Sequence, residues 1–175
     1  MEEEQNNPQQ ISEQFHKIYK DSELPPVLIL TKGLSIYKNN YELLVDKLER
    51  LLNSKGIKKT NISAVGGPCL ASGLSNRINS SVVLANENIE IVKKIGSIIS
   101  TKYYSTEYSE DLIGVEVCAA TKNIYSMLIG ASEGLSSKTL KSEIKNKFYL
   151  NTAASLAYRS VAEMKYLTKK LRGKE

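Results

Sequence analysis

The chain has 175 residues, of which 41% are hydrophobic and 25% charged, enough for one good core or two small ones closely joined. Its net charge of +5 comes from 24 basic and 19 acidic residues, but the lysines are scattered and aromatics make up only 7%, which argues against a nucleic-acid groove. One histidine, His16, and two distant cysteines, Cys69 and Cys118, without C-x-x-C spacing, argue against a metal centre, a His-based triad and a disulfide staple.

Residues 1–7 are polar and expected to fray, and no apolar leader precedes the fold, so the cytoplasm is the expected location. Pro8 opens a helix through Ile11, Phe15, Ile18 and Tyr19, apolar at helical spacing. Beyond Pro25 and Pro26, the β-branched run 27–31 reads as a buried parallel strand that ends at Lys32 and Gly33. An amphipathic helix is expected over 41–53, with Leu44, Val45, Leu48, Leu51 and Leu52 inward and Gly56 as its stop. A second buried strand, 62–65, runs into G-G-P-C-L-A at 66–71, where paired glycines let backbone approach a ligand. Strand 81–85, helix 89–100 and a polar edge strand 102–106 follow. Alternation of this kind implies an α/β layer.

The stretch 109–135 is the centre of the chain. Ser109, Glu110 and Asp111 suit a helix start, Gly134 suits a stop, and the residues between are apolar or small almost all round. It therefore reads as a buried helix, too polar at Glu116, Lys122 and Asn123 for a membrane span. No carboxylate lies at helical spacing from Lys122, so burial would lower its pKa and suit it to exchange protons with a hydroxyl or carbonyl. A stem on apolar surface with its head in water is the alternative. Over 138–172 there is no glycine or proline, and apolar spacing predicts one long helix or two stacked ones.

The segment G-V-E-V-C-A-A-T-K-N-I at 114–124 resembles the central signature of NAD(P)-dependent glycerol-3-phosphate dehydrogenases. The resemblance extends to N-P-Q-Q at 7–10, V-L-I-L-T-K-G-L at 27–34, the 66–71 loop, and N-T-A-A-S-L-A-Y-R-S-V-A-E-M at 151–164. It implies a partial Rossmann-type parallel sheet over 1–108 and a helical region like that of 6-phosphogluconate dehydrogenase over 109–175. It also implies interconversion of dihydroxyacetone phosphate and glycerol 3-phosphate with NAD or NADP.

On that resemblance Lys122 is the proton donor or acceptor, and Asn123 supplies an amide beside it. Lys32, Gly67, Cys69, Asn151 and Arg159 would contact substrate; Pro8, Lys32 and Ala71 would contact cofactor; no metal is implied. The chain departs from the family pattern at Gly66, Cys69 and Ser160, and has a longer, lysine-rich connection over 136–147. No G-x-G-x-x-G occurs, nor the family's G-L-G-D-L aspartate, nor its Ser-Arg-Asn group that grips the substrate phosphate. Three readings follow: a dehydrogenase by descent, a remnant or one chain of a split enzyme, and a non-catalytic α/β interaction module. The first expects a phosphorylated triose or glycerol substrate, with no nucleic acid or membrane insertion. A homodimer or complementing chain is the expected assembly, with self-association through exposed edges.

Overall fold

The computed structural model describes residues 8–19, 24–139 and 145–171. Helix α1 (Pro8–Tyr19) takes proline at its first turn, where a missing N–H costs nothing, and lays Ile11, Phe15 and Tyr19 on the core. Strand β1 (Val27–Ile29) is shorter than the apolar run, and Leu30 beyond it is exposed.

A hairpin, β2 (Leu34–Tyr37) and β3 (Asn40–Leu43), then precedes α2 (Leu44–Ser54). The sequence pattern predicts that helix from 41. Lys38 and Asn39, with φ of 50° and 62°, make a tight turn whose twist suits a hairpin, so 41–43 are drawn into strand. Arg50 locks the hairpin to α2 through two bonds to Glu42, at 2.7 and 2.9 Å, and lies 3.9 Å from the Tyr37 ring centroid. The expected stop is present: Gly56 follows the helix end at φ +90°.

Strand β4 (Ile62–Gly66), the short helix α3 (Ala71–Ser75), β5 (Ser80–Ala85), α4 (Ile89–Ile99) and β6 (Tyr104–Ser109) complete this part. The main sheet has the order β1-β4-β5-β6, with β6 at an edge as expected. Pairs β1/β4 and β5/β6 are parallel, but β4/β5 is antiparallel, so the sheet is mixed where an all-parallel one was expected. The reason lies in the connection: a five-residue helix such as α3 rises only about 7.5 Å, too little to return the chain to the start of a strand. Asn86 ties the two strands by donating to Ile62 O and Ser63 Oγ, both at 2.9 Å. One core cluster gathers Leu24, Val45, Leu48, Leu52, Ile57, Ile62 and Ala64; a second gathers Val82, Leu84 and Val92.

Helix α5 (Leu112–Thr139) begins where expected. Asp111 Oδ1 accepts the Gly114 amide at 2.9 Å, and the absent Cβ of Gly114 leaves room for that carboxylate. It does not stop at Gly134. A Cβ on Gly130 or Gly134 would meet nothing within 4 Å, and both simply continue the helix. Nor is it buried all round: Gly114, Glu116, Val117 and Ala119 are buried, while Ile124, Met127, Leu128 and Leu135 are exposed. By length and composition Leu112–Leu135 would pass as a membrane span, contrary to the sequence reading, but its first turns are seated on β4 and β5. Of the two arrangements expected over 138–172, the described residues show the first, one long helix α6 (Lys145–Lys170), which packs along α5. The middle of the lysine-rich connection, 140–144, lies outside the described residues.

Candidate functional site

Small residues let α5 approach the carboxyl end of β4. A Cβ on Gly66 would stand 3.0 Å from Val115 Cγ1 and 3.7 Å from Ala119 Cβ, so even a methyl group there would press on Val115. Gly67 is held still more tightly. Its φ is +144°, and a Cβ there would lie 2.9 Å from both Ser81 O and Val82 Cα. The paired glycines thus serve close packing of backbone on backbone and backbone on helix.

Val115, Ala119 and Lys122 share one face of α5. With Val115 and Ala119 seated on Gly66, Lys122 reaches the next carbonyl: its Nζ donates to Gly67 O at 3.0 Å, across 55 residues of sequence. Lys122 is half-buried, so its stem is packed while the amine lies at a rim. Lys122 and Gly67 are therefore brought together.

Lys32 belongs to the same end of the sheet. Three residues beyond the last registered β1/β4 pair, Ile29 with Ala64, the two chains have reached Lys32 and Gly67. Ligands of open α/β sheets gather at such carboxyl ends. Lys32 is exposed, and its neighbour Gly33, at φ +141°, has open space where a Cβ would stand. A free cation beside accessible backbone fits an anionic cofactor or a phosphate ester.

The other sequence-predicted residues are less concentrated. Asn123 is exposed beside Lys122. Cys69 is half-buried and packs against the second core cluster. Ala71 is exposed at the first position of α3. Pro8 lines an apolar cleft of about 230 Å³ with Ile11, Phe15, Leu44 and Leu48. Asn151 and Arg159 are exposed on α6, and Arg159 lines a small cleft with Tyr125, Leu156 and Glu163. Tyr125 follows Lys122 by one turn and donates to Glu163 Oε2 at 3.2 Å.

Sequence reasoning left Glu116 without a role. It is 6% exposed, its Oε1 accepts the Val45 amide at 3.3 Å, and burial pushes its carboxyl up to about 7. A lone carboxylate inside an apolar helical run was the available signal, since a buried acid must find donors.

Residues 111–175 match the family described as NAD-dependent glycerol-3-phosphate dehydrogenase C-terminus. The NADP(+)-dependent glycerol-3-phosphate dehydrogenase of Archaeoglobus fulgidus is 28% identical over 147 residues, covering 84% of this chain and 41% of that protein. A glycerol-3-phosphate dehydrogenase [NAD(P)+] of Rickettsia conorii is 30% identical over 158 residues, covering 90% and 42%. Over most of its length this chain is similar to the NAD(P)-dependent glycerol-3-phosphate dehydrogenases.

The family's fold is present as well. The crystal structure of glycerol-3-phosphate dehydrogenase from Coxiella burnetii superposes with a TM-score of 0.67 at 21% identity, over 95% of this chain and 45% of that one. The Dunaliella salina DsGPDH gives a TM-score of 0.70 at 21% identity, over 93% and 25%. The α/β class with a helical region after the sheet therefore stands. The chain spans about two-fifths of the length of these curated relatives. Dependence on a nicotinamide cofactor and a glycerol-3-phosphate substrate are properties of the family.

Proposed function

We propose that this chain carries the proton-transfer centre of a glycerol-3-phosphate dehydrogenase, with the nucleotide-binding half ending near 108 and the substrate half beginning near 109. The observation that supports this best is the Lys122 amine lying 3.0 Å from Gly67 O, at the strand end that also carries Lys32. NADH or NADPH, held beside Lys32, Pro8 and Ala71, would supply the hydride that reduces the carbonyl carbon of dihydroxyacetone phosphate. Lys122, leaving the Gly67 carbonyl for the substrate, donates a proton to the carbonyl oxygen; in the reverse direction its neutral amine takes the hydroxyl proton.

Lys32 offers its charge to phosphate, and Asn123 presents an amide on the turn beside Lys122. Asn151 and Arg159 on α6, and Pro8 and Ala71 on the sheet side, complete the proposed substrate and cofactor contacts. The 175 residues hold no G-x-G-x-x-G, so the fit to a dinucleotide is at its reacting end only. Two free cysteines, Cys69 and Cys118, accord with a reducing compartment such as the cytoplasm. Exposed Met127, Leu135, Tyr158 and Val161 on α5 and α6 accord with self-association, to be read by sedimentation.

Titration of the purified chain with NADH, followed by fluorescence, tests cofactor binding directly: saturable enhancement supports the reading and its absence overturns it for this chain alone. Substituting Lys122→Met, then following NADPH consumption with dihydroxyacetone phosphate, tests the proton role. Undiminished turnover would remove Lys122 from the mechanism.

A further inference from the structure

Glu116 has no part in the proton step, yet it occupies the contact between α5 and the start of α2. Its Oε1 accepts the Val45 amide at 3.3 Å, and the Leu44 amide also stabilises its charged form. These are the first two residues of α2, whose N–H groups have no partner within the helix. Leu43, at the cap position, makes no side-chain cap. A carboxyl group from 71 residues away therefore caps α2 and faces the positive end of its dipole.

The neighbours of Glu116 on α5 make this contact consequential. Val115, one residue earlier, and Ala119, three later, face Gly66, and Lys122 continues their face. With one face seated on β4 and the adjoining one pinned to α2, the roll of α5 about its axis is determined from two directions. Among the described residues Oε2 of Glu116 is buried without a hydrogen-bond partner, and the hydrogen bonds that hold its carboxyl come from α2. Asp46, in the first turn of α2, is the charged group acting on it; Glu42 of β3 pairs with Arg50 and acts on Asp46. The Asp46 carboxyl is itself pushed up by burial, then by Glu49, Glu42 and Glu87.

We propose that Glu116 is a positioning residue: by capping α2 it sets the roll of α5 and keeps the Lys122 amine on the Gly67 carbonyl. Its importance to turnover rests on the proton role of Lys122; the clasp itself rests on the geometry alone.

The test uses the full chain, an amine-acylating reagent and mass spectrometry, with Lys122 acylation normalised to exposed Lys32, and hydrogen exchange read at Val45. Glu116→Ala is expected to speed both Lys122 acylation and Val45 exchange about fivefold, the effect of losing one helix cap. Glu116→Gln keeps a carbonyl acceptor and should leave Lys122 acylation near its original rate. It should also abolish any pH dependence of Val45 protection beyond the intrinsic one. A folded Glu116→Ala chain with unchanged Lys122 acylation overturns the proposal. Should that variant fail to fold, identical Val45 pH profiles in the original and Glu116→Gln chains overturn it instead. Acylation requires no turnover, so an inactive chain counts against the Lys122 mechanism and leaves the clasp to be judged separately.

Discussion

The two halves of α5 have much the same composition and opposite surroundings. Up to Lys122 the helix rests on glycines of β4, caps α2 through Glu116 and buries Val117 completely. Beyond it, Ile124, Met127, Leu128 and Leu135 are half to three-quarters exposed, and α6 is the main element alongside. Apolar character alone thus does not tell which part of a helix is seated. What distinguishes the seated half is complementarity: small residues opposite small residues, and one acid opposite unpaired amides.

The largest expected effect tests the junction between those halves. On the proposed proton role, Lys122→Met should lower turnover by about 10²–10⁴-fold, the usual worth of a general acid. Its stability, by urea denaturation, should change by only about 1 kcal/mol, one hydrogen bond at a rim. Gly67→Ala addresses the floor beneath Lys122: a side chain at φ +144° and 2.9 Å from Ser81 O should cost about 3 kcal/mol. A loss below about 1 kcal/mol would mean that the β4 end yields more readily than its packing indicates.

Within the helix, Val117→Ala should cost about 2–3 kcal/mol and Met127→Ala no more than about 0.5. Equal costs would erase the distinction between seated and exposed halves. Glu116 adds a pH dependence of known sign. Its carboxyl rises from 4.5 to about 7 in the folded chain, so it is protonated more readily folded than unfolded. Its contribution is therefore full below pH 4.5 and is lost as pH rises through about 7. Between these limits the original chain should lose on the order of 2 kcal/mol relative to Glu116→Gln, read from urea midpoints. The smallest effect has the opposite direction: Gly134→Ala, in open space inside the exposed half, should stabilise by about 0.5–1 kcal/mol.

Much of the fold was legible because it depends on local pattern. Pro8 starting α1, Gly56 ending α2, Asp111 capping α5 and the apolar runs of β4 and β5 all express backbone preferences of neighbouring residues. The hairpin at 34–43 was missed because Lys38-Asn39 adopts a left-handed turn without glycine. Gly134 misled because a glycine inside a helix costs too little to end it when α6 packs alongside. For the site, the strand-end glycines and Lys122 could be singled out from residue type. Cys69 could not be placed, since whether a small thiol faces a ligand or a core depends on β5 and α4 packing across it.

The order of residues by itself determined where most helices and strands form, the α/β class and the lysine that stands out in an apolar segment. Tertiary structure alone decided that β5 runs against β4, that Lys122 meets Gly67 and that Glu116 caps a helix far away in the chain. The physical reason is one of range. Propensity and periodicity act over a few residues, whereas partners for a buried amide, carbonyl or carboxylate are chosen only when distant segments close on one another.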